Sequence, residues 1–268
     1  MDRSGTPRVN AVVLAGARND GKLKEVSDER WEALIPVAGK PLIRYSVDPL
    51  LAARSVDRIV VVGPVDEIKA ALDGLAIDVV PPTGDMFDNV LVGWRHLTAA
   101  GEDPEKPLLV STADIPLITP EIVDELVKAC LERGGEAFYP MATRETMEAK
   151  FPGTKRTYGT LREGTLTGGN LFVVNGAVLE RVAPKAKALI AARKNPLKMA
   201  MVAGIGFAVM LVLGRLDIRR LETYVERRFG LAGRVIIVPW AEIGIDVDKP
   251  ADLDLVRAYF QRSAAEKG

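Results

Sequence analysis

Cysteine, histidine and any excess of charge are scarce in this chain. One cysteine, Cys130, stands among 268 residues, so no internal disulfide can form, which fits a reducing compartment. Cys130 lies in an apolar helical pattern and reads as a buried thiol. The single histidine, His96, has no obvious chemical partner and reads as structural or exposed, as Trp94 nearby reads as core. Lys plus Arg and Asp plus Glu are 36 each. A balance of zero offers no global field to nucleic acid or an anionic membrane, so an anionic ligand must be held by a local cluster. The N-terminal MDRSGTPR has no apolar signal core, and the expectation is a cytoplasmic protein.

No uncharged apolar run is long enough to cross a bilayer. The longest, Met199–Leu213, spans about 22 Å as a helix against a hydrocarbon core of roughly 30 Å. It reads as a buried or partner-facing helix. A homodimer contact, a membrane-surface contact or an apolar wall for a ligand through 199–213 stays open.

What is present is an alternation of short β-branched runs with helical patterns. Strands are expected at Val9–Ala15, Arg58–Gly63, Ile77–Pro81, Pro107–Thr112, Ala137–Met141, Leu171–Asn175 and Arg234–Pro239. Helices are expected at Pro41–Arg54, Val65–Leu72, Asp88–Ala100, Pro120–Arg133 and Ala251–Gln261, with Pro41 and Pro120 in first turns. This order predicts an α/β fold with a mostly parallel twisted sheet. Residues 1–268 read as a single domain in which 176–232 form a helical insertion.

In such sheets ligands sit beyond the carboxyl ends of the strands, which singles out three places. The first strand runs into Leu14-Ala15-Gly16-Ala17-Arg18-Asn19-Asp20-Gly21-Lys22. A glycine-bearing loop after a strand lets backbone amides approach phosphate, and Arg18, Lys22 and Lys24 could add charge. The alternative is a solvated loop. Gly16, Gly21 and Lys22 fit the Walker spacing, but Leu23 stands where a magnesium-holding hydroxyl is required. No G-x-G-x-x-G follows the strand, so the dinucleotide-binding fingerprint is missing too. At the end of the fourth strand, Asp114 is placed to serve as a carboxylate ligand to magnesium, or to support the turn before Pro116. Downstream, an extended Ile245–Asp248 would put Asp246 and Asp248 on one face and Ile245 and Val247 on the other. That suits metal binding, with capping of the last helix as the alternative for Asp248.

Four blocks in order, VVLAG (12–16), IPVAGKPLI (35–43), TADIPLI (112–118) and IDVDKPADL (245–253), resemble the nucleotidyltransferase superfamily of GT-A-like, Rossmann-like three-layer fold, and in particular its MobA-like members. The resemblance implies an Mg2+-dependent enzyme. It would transfer NMP from a nucleoside triphosphate to a small phosphorylated acceptor, with loss of pyrophosphate; guanylyl- and cytidylyltransferases both fit. By position it implies metal ligation by Asp114 and Asp246, perhaps with Asp248. It implies nucleotide contacts from Leu14, Ala15, Gly16, Ala17, Arg18 and Gly21, and from Gly84, Asp85 and Asn89. Acceptor contacts would come from Gly168, Gly169 and Asn170, whose glycines permit close approach. In the stretch before them, Lys155 and Arg156 could bind an acceptor phosphate, or belong to a flexible polar loop. The chain departs from its relatives at Glu32, where many carry a lysine that contacts the triphosphate. Lys22, Lys24 or Lys40 then supplies the charge, or the triphosphate binds differently, or activity is lost. The alternatives are a non-catalytic nucleotide or nucleotide-sugar binding protein of the same fold, or a peripheral membrane or partner-docking module using 199–213.

Overall fold

The computed structural model describes residues 8–192 and 216–265. The run Met199–Leu213 lies outside the described residues. Among the described residues, no helix is long and apolar enough to cross a membrane.

The chain runs β1 (Val9–Leu14), a hairpin of β2 (Pro36–Val37) and β3 (Lys40–Pro41), α1 (Leu42–Ala52), β4 (Val56–Val62), α2 (Val65–Ala71), β5 (Asp78–Val80), α3 (Met86–Ala99), β6 (Pro107–Thr112) and α4 (Pro120–Arg133). There follow β7 (Ala137–Thr143), α5 (Arg144–Lys150), β8 (Gly159–Leu161), β9 (Gly164–Gly168), β10 (Leu171–Asn175), α6 (Leu179–Ala192), α7 (Ile218–Phe229), β11 (Gly233–Val238) and α8 (Pro250–Ala265). Of the expected region 176–232, α6 and α7 are thus described as helices.

Nine strands make one sheet in the order β5-β4-β1-β6-β10-β7-β9-β8, and β11 pairs with β7. The sheet is mostly parallel in direction: β9 and β10 run against the rest. β1 is central, with Val12 opposite Val60 of β4 on one side and Val110 of β6 on the other. A strand covered on both faces needs apolar side chains at every position, and β1 supplies them except at Asn10. There the Nδ2 donates to Glu102 Oε2 at 2.9 Å.

The period of two splits β1 between two cores. Val9, Ala11 and Val13 face Ile43, Val47 and Leu50 of α1 and Leu126 and Val127 of α4. Val12 faces Phe87, Val90 and Leu91 of α3. These are the three layers. Cys130 belongs to the first core, and burial pushes its thiol up to about 12. Helix α3 lies against β1 without a spacer: a Cβ on Gly93 would sit 2.7 Å from both γ-methyls of Val12. Gly93→Ala is therefore expected to cost about 1–2 kcal/mol, because overpacking outweighs alanine's helix propensity. Urea unfolding checks this, and an unchanged midpoint would show that helix and strand can part freely.

A third cluster touches the sheet through Ala142 of β7 and gathers loops and helix ends. Leu23, Ile35, Val37, Leu117, Met147, Phe151, Ile245, Val247 and Leu253 are buried together. They tie the loop after β1, the β2–β3 hairpin and the segment before α8 to the carboxyl end of the sheet.

Candidate active site

Leu23 explains why the Walker spacing fails. It is fully buried in the third cluster, and Lys22–Glu25 is a short 3-10 turn. The loop is pinned from below by Asn19, whose Nδ2 donates to the carbonyls of Ser27 and Glu29, each at 2.9 Å. Asn19 is 5% exposed; nothing in the sequence pattern distinguished it from other loop residues. Arg18 leaves the mouth of the sheet and stacks on Trp31, 5.1 Å from the ring centre. The amide of Glu32 donates to the carbonyl of Ala17 at 3.1 Å, which sets Glu32 beside the loop.

A cavity of about 230 Å³ opens at the carboxyl ends of β1 and β6. Leu14, Ala15, Gly16, Ala17, Gly84, Asp85, Asn89 and Asp114, all expected at the site, line it together with Glu32, Ala33, Met86, Thr112 and Ala113. Arg18, Gly21, Lys22, Lys24 and Lys40 do not line it, nor do Lys155, Arg156, Gly168, Gly169, Asn170, Asp246 and Asp248. Lys24 pairs with Asp28 at 3.3 Å and Lys40 with Asp48 at 3.5 Å, while Lys22 is exposed. Among the described residues, the charged groups lining the cavity are thus Glu32, Asp85 and Asp114.

The far wall is built by the entry to α3. Gly84 has φ +61, where a side chain is strained, and a Cβ there would also meet the Asp88 carboxylate at 2.3 Å. Asp85 and Asp88 close a capping box, each side chain accepting from the other's amide. Asn89 Oδ1 accepts from the amide of Thr83 at 2.7 Å, so it shapes the wall as well as lining it.

Asp114 follows directly on β6. Its Oδ1 is buried and closes no well-aligned hydrogen bond. Burial, with the nearby Asp246 and Asp248 carboxylates, outweighs the neighbouring Thr112 hydroxyl and pushes its carboxyl up to about 7. The two downstream acids arrive because Val247 donates its amide to the carbonyl of Asp114 at 3.0 Å. The segment is not a strand, yet the expected alternation holds: Ile245 and Val247 are buried, while Asp246 and Asp248 are not. The carboxylate that accepts the Asp248 and Lys249 amides at the entry to α8 is that of Asp252. Partial burial, Asp246 and Asp252 raise the pKa of Asp248.

Asp246 is paired with Arg156, Nη1 donating to Oδ1, and both side chains are mostly enclosed. Lys155 next to it is exposed. Asn170 reaches the same junction: its carbonyl accepts from Thr112 and its amide donates to the carbonyl of Ile243. Its side-chain Nδ2 is buried without a partner, as are Arg156 Nε, Thr112 Oγ1 and Tyr158 Oη. The room left by the two glycines before it is already filled. A Cβ on Gly168 would meet the Tyr139 hydroxyl at 1.8 Å, and one on Gly169 would meet Ile243 Cδ1 at 2.7 Å. These glycines admit neighbouring side chains of the fold. Tyr139 and Tyr158, the latter under the Arg144 guanidinium at 4.2 Å, are additions that no spacing in the sequence announced. His96 is remote from the cavity and bonds Asp78 at 3.1 Å.

Buried polar atoms normally have partners, and each orphan costs roughly 1–3 kcal/mol. Of the orphans, Thr112 Oγ1 and Asp114 Oδ1 belong to the cavity lining, and Arg156 Nε belongs to the partner of Asp246. Such orphans are what a site looks like when its remaining hydrogen bonds belong to a ligand. No group of three or more acidic, histidine or cysteine side chains among the described residues is arranged to hold a metal ion alone. A cation of the magnesium type, which takes one or two carboxylates and completes its shell with phosphate oxygens and water, fits Asp114 and Asp246.

A solved structure of a hypothetical transferase from Thermus thermophilus is 33% identical, covers 92% of this chain and 99% of that one, and superposes with a TM-score of 0.77. A probable molybdenum cofactor guanylyltransferase from Thermococcus gammatolerans is 27% identical over 63% of this chain and 81% of that protein. A 2-C-methyl-D-erythritol 4-phosphate cytidylyltransferase from Frankia casuarinae is 31% identical over 51% of this chain, and the chain spans about half, 48%, of its length. Residues 11–204 match the MobA-like NTP transferase domain. The match takes in β1, the cavity and Asp114, and the chain belongs to the MobA-like NTP transferase domain family.

Proposed function

We propose that the protein is a magnesium-dependent nucleotidyltransferase that moves NMP from a nucleoside triphosphate to a small phosphorylated acceptor and releases pyrophosphate. The observation that carries this reading is the buried Oδ1 of Asp114 at the end of β6, which closes no well-aligned hydrogen bond, with Asp246 brought beside it. Binding a nucleotide alone does not call for two separated carboxylates at the phosphate end of a cavity. Asp114 and Asp246 would hold the cation, which when bound neutralises charge on the triphosphate and on the leaving pyrophosphate. The backbone of 14–17 and the α3 entry at 84–89 would hold the nucleotide. Asn170 and Arg156 would orient the acceptor's anionic group, so that attack on the α-phosphorus is chiefly a matter of positioning. Guanylyl and cytidylyl transfer both remain within the reading.

Glu32 favours a second reading, a nucleotide or nucleotide-sugar binding protein without transfer activity, because it puts a carboxylate in the cavity while no cation among the described residues lines it. Thermal stability in the presence of each of the four ribonucleoside triphosphates separates the two. A ligand bound only by the native state at 100 times its Kd adds about 2.7 kcal/mol. A shift with one triphosphate that needs Mg2+ supports the enzyme. A shift independent of Mg2+, or one given only by a nucleotide sugar, supports the binding protein.

A further inference from the structure

Arg156 and Asp246 form an ion pair at a place where each is wanted for something else. Both side chains are largely enclosed, 15% and 14% exposed. Enclosed pairs are strong only when the remaining donors and acceptors are also satisfied. That condition fails here, because Arg156 Nε is buried with no partner. An enclosed guanidinium with an idle Nε has the chemistry to take a phosphate-sized anion. It lacks only the freedom to do so, since its Nη1 is held by Asp246.

We propose that Arg156 and the divalent cation compete for Asp246, so that loading the cation releases Arg156 to bind the anionic group of the acceptor. The pair is then an exchange device. In the ligand-free protein Arg156 neutralises Asp246. When the cation enters with the triphosphate, Asp246 changes partner and the guanidinium turns to the acceptor. The two binding events are coupled through one carboxylate, and linkage makes the coupling reciprocal. The acceptor side is therefore competent only after the cation has bound. This inference rests on the reading of Asp246 as a metal ligand.

Calorimetric titration tests it on the full chain with two simple probes. In the first, Mn2+ alone is titrated into the ligand-free wild type and into Arg156→Gln. Release of the competitor should tighten Mn2+ binding roughly tenfold. Equal or weaker binding by the variant overturns the proposal, because Arg156 would then only hold Asp246 in place. In the second, inorganic phosphate is titrated without metal. Asp246→Asn should gain phosphate binding that the wild type lacks, and adding Arg156→Gln should remove the gain. If the double variant keeps it, the gain comes from lost negative charge and the proposal fails. Circular dichroism and Tm establish that each variant is folded. Arg156→Lys, which keeps the cation and loses the fork, replaces Arg156→Gln should the latter not fold, with a smaller effect in the same direction. If neither wild type nor variant binds Mn2+, even with triphosphate present, Asp246 is not a metal ligand and both readings fall together.

Discussion

Replacing Asp114 by asparagine is expected to abolish magnesium-dependent triphosphate binding and at the same time to stabilise the ligand-free protein. The carboxyl has an ordinary value of 3.8 and is pushed up to about 7, chiefly by burial and then by Asp246 and Asp248. A raised acid binds more protons in the folded state than in the unfolded one. Stability contributed at this residue is therefore lost as pH rises from about 4 towards 7, and above that the penalty is complete. Asparagine carries no charge to bury, but its amide also lacks partners, which offsets part of the gain. The expected net is about 2 kcal/mol, or a Tm higher by about 5 °C at pH 8, shrinking to nothing below about pH 4. Transfer activity should fall by about three orders of magnitude, in line with loss of a group that stabilises transition-state charge. Thermal scans at pH 4 and pH 8 measure the first effect. A variant that is less stable than wild type at pH 8 would show that Asp114 serves the fold.

The second large effect is expected at Glu32. This carboxylate lines the cavity, and burial first, then Asp248 and Asp20, raise its pKa. A triphosphate entering beside it meets repulsion with no lining cation among the described residues to offset it. Glu32→Lys reverses that charge and should tighten Mg2+–triphosphate binding by at least tenfold, lower the magnesium concentration required, and lose most of its advantage at high salt. Glu32→Gln should give part of the gain. Calorimetry at two ionic strengths measures this. Identical affinities for wild type and Glu32→Lys would place the phosphates away from Glu32.

The sheet was largely legible because its signals are local. β6, β10 and α4 occur at the expected residues, since continuous apolar runs and a Thr119–Pro120 helix start leave little choice. Asp114 and the 245–248 alternation were legible for the same reason, one at a strand end and the other a period-two pattern. Helix α1 begins one residue after Pro41, which caps it. Besides the two-residue strands β2 and β3, three elements were not anticipated. Gly159–Leu161 and Gly164–Gly168 pair as a hairpin of glycine and threonine, with no apolar run to announce it. Arg144–Lys150 is a charged turn of helix anchored by Met147 alone. The cations misled, since charge near a glycine loop says nothing of where it points. Arg18 stacks on Trp31 and Lys24 and Lys40 find surface acids. The Arg156–Asp246 pair joins segments 90 residues apart, and only the fold brings them together.

If Asp114 and Asp246 hold a cation that in turn holds a triphosphate, titration of each ribonucleoside triphosphate into wild type, Asp114→Asn and Asp246→Asn, with Mg2+ and with a chelator, will show it. One triphosphate is expected to bind the wild type with Mg2+, and at least about a hundredfold more weakly with chelator or in either variant. Equal binding in all of these conditions, or none to the wild type, would mean that these carboxylates hold no such cation.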